Sequence, residues 1–136
     1  MKKPTAGLWA IIGLTIFNAL ATTVMYVKLL NPSYHAVSFD PLTLRAYAIG
    51  DLPFVVVPSL VAAYGLWRLK KWGWMMALMI GAIYLHSMTV LIAEALIKDQ
   101  RNPMFFVSIY FLVFAVGSIG YLIRSRSLFG DPAILD

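Results

Sequence analysis

Residues 7–30 read GLWAIIGLTIFNALATTVMYVKLL, a run with no charged side chain before Lys28. A hydrocarbon core about 30 Å thick is crossed by about 20 apolar helical residues. This stretch is therefore long enough to span a bilayer, and its reading sets the terms for the rest of the chain. Lys2 and Lys3 precede it, and the Ala19-Leu20-Ala21 triplet imitates a signal-peptide cleavage site. Apolar residues continue well past that triplet, so the segment is read as a retained transmembrane helix.

Asn31-Pro32-Ser33 supplies the turn chemistry that ends this helix, and a polar segment follows through Asp40. Asp40-Pro41 is a fresh start: Asp accepts an orphan backbone N–H at an N-cap, and Pro suits the first helical position. The second span is expected over about residues 45–67, with Pro53 and Pro58 inside it. Each proline removes a backbone hydrogen bond and crowds the preceding turn, so a bend is expected there. Arg68, Lys70 and Lys71 form a basic connection, and Trp72 and Trp74 stand where interfacial aromatic anchors are expected. A third span follows at about 72–97 and a fourth at about 104–123, separated by Lys98-Asp99-Gln100-Arg101-Asn102-Pro103.

Composition agrees with this reading. Of 136 residues, 61% are hydrophobic and 12% charged, too little polar surface to clothe a soluble globule. Four crossings and short loops use nearly the whole length, leaving one all-α membrane domain of four helices. The short connections favour an up-down-up-down bundle. Lys2, Lys3, Arg68, Lys70, Lys71, Arg124 and Arg126 fall on one side, against Lys28, Arg45, Lys98 and Arg101 on the other. The positive-inside rule then places both termini in the cytoplasm, and the expected address is a cell membrane of the bacterial inner-membrane type.

Several chemistries are excluded. With no cysteine there is no disulfide, thiolate metal site or thiol nucleophile. The net charge of +5 resides at helix ends rather than in a stripe, so lipid headgroups are the expected partner and nucleic acid is not. A metal site drawing on His35, Asp51, His86 and Glu94 has no recognised ligand spacing. Bis-histidine haem would need a second intramembrane histidine beside His86. No phosphate-binding loop, Ser-His-Asp arrangement or HExxH motif is present, and no cofactor or metal is expected.

The polar residues inside the spans carry the remaining information, because each costs free energy in lipid. Counting the helical rise from the cytoplasmic anchors puts Asn18, Asp51, His86, Ser108 and Tyr110 at one level, about 21 to 25 Å up. An inward-facing cluster of Asn18, Asp51, His86 and Tyr110 is expected, with Asp51 and His86 as the coupled ionisable pair. The plain reading of that layer is interhelical hydrogen bonding, each bond contributing about 0.6 to 2 kcal/mol. Glu94, nearer the outer interface, is either solvated or paired with Lys98.

From Asp51 to Phe129, the order Asp51-Leu52-Pro53-Phe54, a basic turn with Trp72, Tyr84-Leu85-His86-Ser87-Met88-Thr89, and Val107-Ser108-Ile109-Tyr110 resembles the EXPERA-type membrane proteins. These include sterol isomerases and sigma-2-receptor relatives. The resemblance implies a four- or five-helix bundle with an embedded pocket for sterol-like or other hydrophobic amines, in which Asp51, His86 and Glu94 take the acidic and histidine positions. The chain departs from that pattern in span one, which has Asn18 but no acidic residue, and in its shorter first outer loop. These departures favour binding over isomerisation.

Three functions follow as expectations. The first is a non-enzymatic protein, either a homo-oligomer or a subunit of a larger membrane complex, in which the polar layer fixes helix register. The second is a hydrophobic small-molecule binder or isomerase using Asn18, Asp51, His86, Tyr110 and Glu94. The third is a proton-coupled exporter acting as a dimer.

Overall fold

The computed structural model of the chain describes residues 4–30, 49, 52–99 and 103–130. Helix α1 covers Ala6–Leu30. A π-helical segment, Leu52–Val56, leads into α2, Val57–Trp67; α3 covers Lys71–Ile97 and α4 covers Pro103–Arg124, followed by a 3-10 turn at Arg126–Phe129. Among the described residues there is no strand, and the fold there is all-α. Three segments, Ala6–Lys28, Lys71–Ile97 and Phe105–Arg124, are long and apolar enough to cross a membrane; Pro53–Trp67 is apolar but shorter. The outer part expected for the second span, with Arg45, lies outside the described residues.

The bend expected at the prolines takes the form of a change in helix type. Pro53 sits in the wider π-helical turn and Pro58 in the first turn of α2. A proline ring has no N–H to give, and a widened turn is one way for a helix to absorb the break. Ser59 Oγ donates to the Val55 carbonyl at 2.6 Å. A hydroxyl thus satisfies a backbone acceptor beside the prolines, the kind of repair that lipid surroundings require.

The basic turn closes α2 by a Schellman arrangement. Lys70 N–H donates to the Gly65 carbonyl at 2.8 Å and Leu69 N–H to that of Leu66 at 3.0 Å. Leu69 takes the left-handed conformation (φ 51) that this cap demands. For a non-glycine residue that conformation costs about 1–2 kcal/mol, offset here by packing of its side chain on the cluster containing Leu8, Leu66 and Leu122. Just beyond the turn, Gly65 and Gly73 face each other so closely that a Cβ on either would overlap the other's backbone. These two positions set how tightly α2 and α3 approach.

The interior forms two layers. One contains Leu8, Ile12, Ala63, Leu66, Leu122 and Phe129, the other Val55, Ala62, Ile80, Tyr84 and Ala115. Helix α2 packs on both α1 and α3, and α3 packs on α4, whereas α1 and α4 meet more sparingly. Large apolar side chains also cover the outside, among them Phe17, Met79, Phe106, Val113 and Ile123. A surface so continuously apolar suits a neighbour other than water.

Trp74 makes a specific contact at the start of α3. Its indole is partly buried, and Nε1 donates to the Leu122 carbonyl at 2.8 Å. That carbonyl lies in the last turn of α4, where intrahelical donors run out, so the indole satisfies an orphan acceptor. Trp72 stays exposed. Nearby, the Thr5 and Tyr121 hydroxyls hydrogen-bond at 2.5 Å, tying the start of α1 to the last turn of α4.

Candidate functional site

The inward face of α1 runs through Leu8, Ile11, Asn18, Thr22 and Tyr26, at spacings of three, four or seven residues. Those spacings bring side chains to one side of a helix, so Asn18 is carried into the interior with its apolar neighbours. It is 2% exposed. Tyr110 on α4 donates its hydroxyl proton to Asn18 Oδ1 at 3.1 Å. The Tyr110 ring stands edge-on to Phe111, centroids 5.3 Å apart, and Phe111 stacks on Tyr84 of α3 at 5.4 Å. The hydrogen bond thus ends a chain of aromatic contacts linking three helices.

Beside Asn18 is an interhelical cavity of about 30 Å³ to which all four helices contribute. Its polar lining comes from Thr15 and Asn18 of α1, Ser59 of α2, Tyr84 of α3 and Ser118 of α4; the remainder is apolar, including Ile80 and Ala115. Asn18 Nδ2 is buried with no hydrogen-bond partner among the described residues.

The expected cluster is assembled only in part. Asn18 and Tyr110 are brought together. His86 is not: its side chain is exposed on α3, because Tyr84 and Met88, two residues to either side, turn toward the core. Two helical residues subtend about 200°, so a side chain between two inward neighbours points outward. The inward-facing position expected for His86 is therefore corrected. Asp51 lies outside the described residues, as do His35 and Asp40.

Glu94 pairs with Lys98, one turn later, at 2.5 Å, with both side chains substantially exposed. Pairs this exposed contribute about 0–1 kcal/mol. Among the described residues no group of three potential ligands can hold a metal ion.

Ser59, Thr15 and Ser118 were not anticipated in the polar layer. A signal for Ser59 was nonetheless present: Ser59, Ala62, Ala63 and Leu66 share the i, i+3, i+4, i+7 pattern of a helix face, and all are buried.

The chain matches no family model, and neither curated proteins nor solved structures show significant similarity to it.

Proposed function

We propose that this chain is a non-enzymatic polytopic membrane protein, working as a small homo-oligomer or as a subunit of a larger membrane complex, in which the interior polar layer sets helix register. The observation that carries the reading is the Tyr110–Asn18 hydrogen bond between α4 and α1, whose acceptor is almost wholly buried. In lipid, apolar packing between helices gains little over apolar packing against acyl chains. Interhelical hydrogen bonds and close backbone approaches therefore specify how helices meet, and the Gly65–Gly73 contact supplies the second of these.

Under this reading the four helices cross a cell membrane in an up-down-up-down order. Thr5 beside Tyr121 and Asn18 beside Tyr110 support opposite senses for α1 and α4. Arg68, Lys70, Arg124 and Arg126 lie toward the end that holds Thr5 and Trp74, which supports a cytoplasmic position for both termini. The outward faces of α1 and α4 keep Gly13, Gly117 and Gly120 open, with no other side chain within 4 Å of where a Cβ would stand. Such faces suit a neighbouring helix.

Two features speak against a sterol-like ligand or a proton-transfer site in the interior. The cavity of about 30 Å³ is an order of magnitude below the roughly 300–1,000 Å³ of small-molecule pockets. His86, which the EXPERA resemblance would place in the pocket, is exposed on α3.

The test is native mass spectrometry of the full chain released in its own lipids, for wild type and for the double substitution Asp51→Asn with His86→Gln. A discrete oligomer or complex retained by both, with cellular function unchanged, is the expected outcome. Loss of function with the assembly intact would assign chemistry to those residues and overturn the non-enzymatic reading.

A further inference from the structure

We infer that the cavity beside Asn18 is an internal hydration site that holds one or two water molecules within the membrane-spanning bundle. Asn18 supplies a polar atom with unmet demand: Oδ1 accepts from Tyr110, while Nδ2 is buried and donates to nothing among the described residues. A buried donor left unpaired costs about 1–3 kcal/mol. In a hydrocarbon setting there is no bulk water to relieve that cost.

The volume fits such an occupant. A water needs roughly 10–15 Å³ of accessible cavity, and about 30 Å³ is present. The lining also meets the second requirement, that a buried water find two to four polar partners. Besides Asn18, the hydroxyl-bearing residues Thr15, Ser59 and Ser118 line the same space from three helices. Ser59 already uses its proton on the Val55 carbonyl, so its lone pairs are what it offers the cavity.

The chemistry of the lining selects the occupant further. Among the described residues that line it there is no carboxylate, no histidine and no cationic side chain. A metal ion or ammonium group would find no anionic ligand, and an anion would find no countercharge. A neutral molecule the size of water that both accepts and donates meets each group present. A dry cavity would leave Nδ2 unmatched; an acyl chain would leave it unmatched and would not fit the volume.

The experiment is solution NMR of the full chain, ¹⁵N-labelled at asparagine, in lipid nanodiscs. The Asn18 amide resonance is assigned by its disappearance in Asn18→Leu. Expected are cross-relaxation peaks between the Asn18 side-chain amide protons and water, with the sign of a bound rather than bulk molecule. They are retained in Ser118→Ala, which leaves the space open, and lost in Ser118→Val, which occupies it. Absence of a water peak in the wild type, or peaks to lipid acyl protons instead, would overturn the inference. That comparison needs only the native sequence, so it stands even if the valine variant does not fold.

Discussion

Placing alanine at Gly65 or Gly73 should loosen the α2–α3 hairpin. An alanine at position 65 would put Cβ 2.5 Å from Gly73 Cα, about 1 Å inside the 3.5–4.0 Å at which carbon atoms pack best. The obstruction at Gly73 is the backbone of Gly65 and Leu66, which cannot swing aside as a flexible side chain can. The helices must part, at the roughly 1–3 kcal/mol typical of overpacking. Against this, alanine in a helix interior gains about 1 kcal/mol over glycine. A net destabilisation of about 0–2 kcal/mol is expected for each substitution, and the double variant should lose less than the sum because the first alanine already separates the backbones.

Gly117→Ala and Gly120→Ala serve as controls, since nothing lies within 4 Å of either added methyl. In micelles that hold the chain as a monomer they should be neutral or more stable by up to about 1 kcal/mol. The assay is reversible unfolding in mixed micelles of increasing sodium dodecyl sulfate, read by tryptophan fluorescence. If Gly65→Ala and Gly73→Ala prove as stable as the two controls, the close approach of α2 and α3 is wrong.

Other substitutions probe the remaining contacts. Tyr110→Phe should lower stability by about 0.6–2 kcal/mol by stranding Asn18 Oδ1; combining it with Asn18→Leu should be less harmful than the two losses added, measured as a double-mutant cycle. Trp74→Phe keeps an aromatic ring but removes the donor to the Leu122 carbonyl, and a loss of at least about 0.5–1.5 kcal/mol is expected in the same assay. Glu94→Gln should change stability by no more than about 1 kcal/mol, since the pair with Lys98 is largely exposed. Because the chain has no cysteine, single cysteines report topology without background. Lys70→Cys and Ser127→Cys should label from the cytoplasmic side with an impermeant maleimide and Asp99→Cys from the opposite side, and the reverse pattern would refute the orientation.

Several helix ends were plain in the residues themselves. The run from Gly7, the basic turn at Arg68–Lys71 and the break before Pro103 fall within a residue or two of the ends of α1, the end of α2, the ends of α3 and the start of α4, while the expected start of the second span lies outside the described residues. The interior was less plain. Asn18 and Tyr110 were expected to share a level and do so, because depth along a helix follows from residue count alone. His86 shares that level by the same count and yet faces outward. Depth was readable; azimuth was not.

The physical reason lies in the solvent. A chain in lipid must satisfy each backbone hydrogen bond within its own segment, so length and apolarity suffice to say where helices lie. A water-soluble helix also advertises its buried face by contrast with a polar one. Here Phe17 and Met79 outside are as apolar as Leu8 and Ile80 inside, and that contrast is missing. Packing supplied what the pattern lacked: the approach of Gly65 to Gly73 and the seating of Ser59, Ala62 and Leu66 against α1 and α3 fix how each helix is turned. That rotation places Asn18 in the interior and His86 on the outside, and it turns Trp74 toward the last carbonyls of α4.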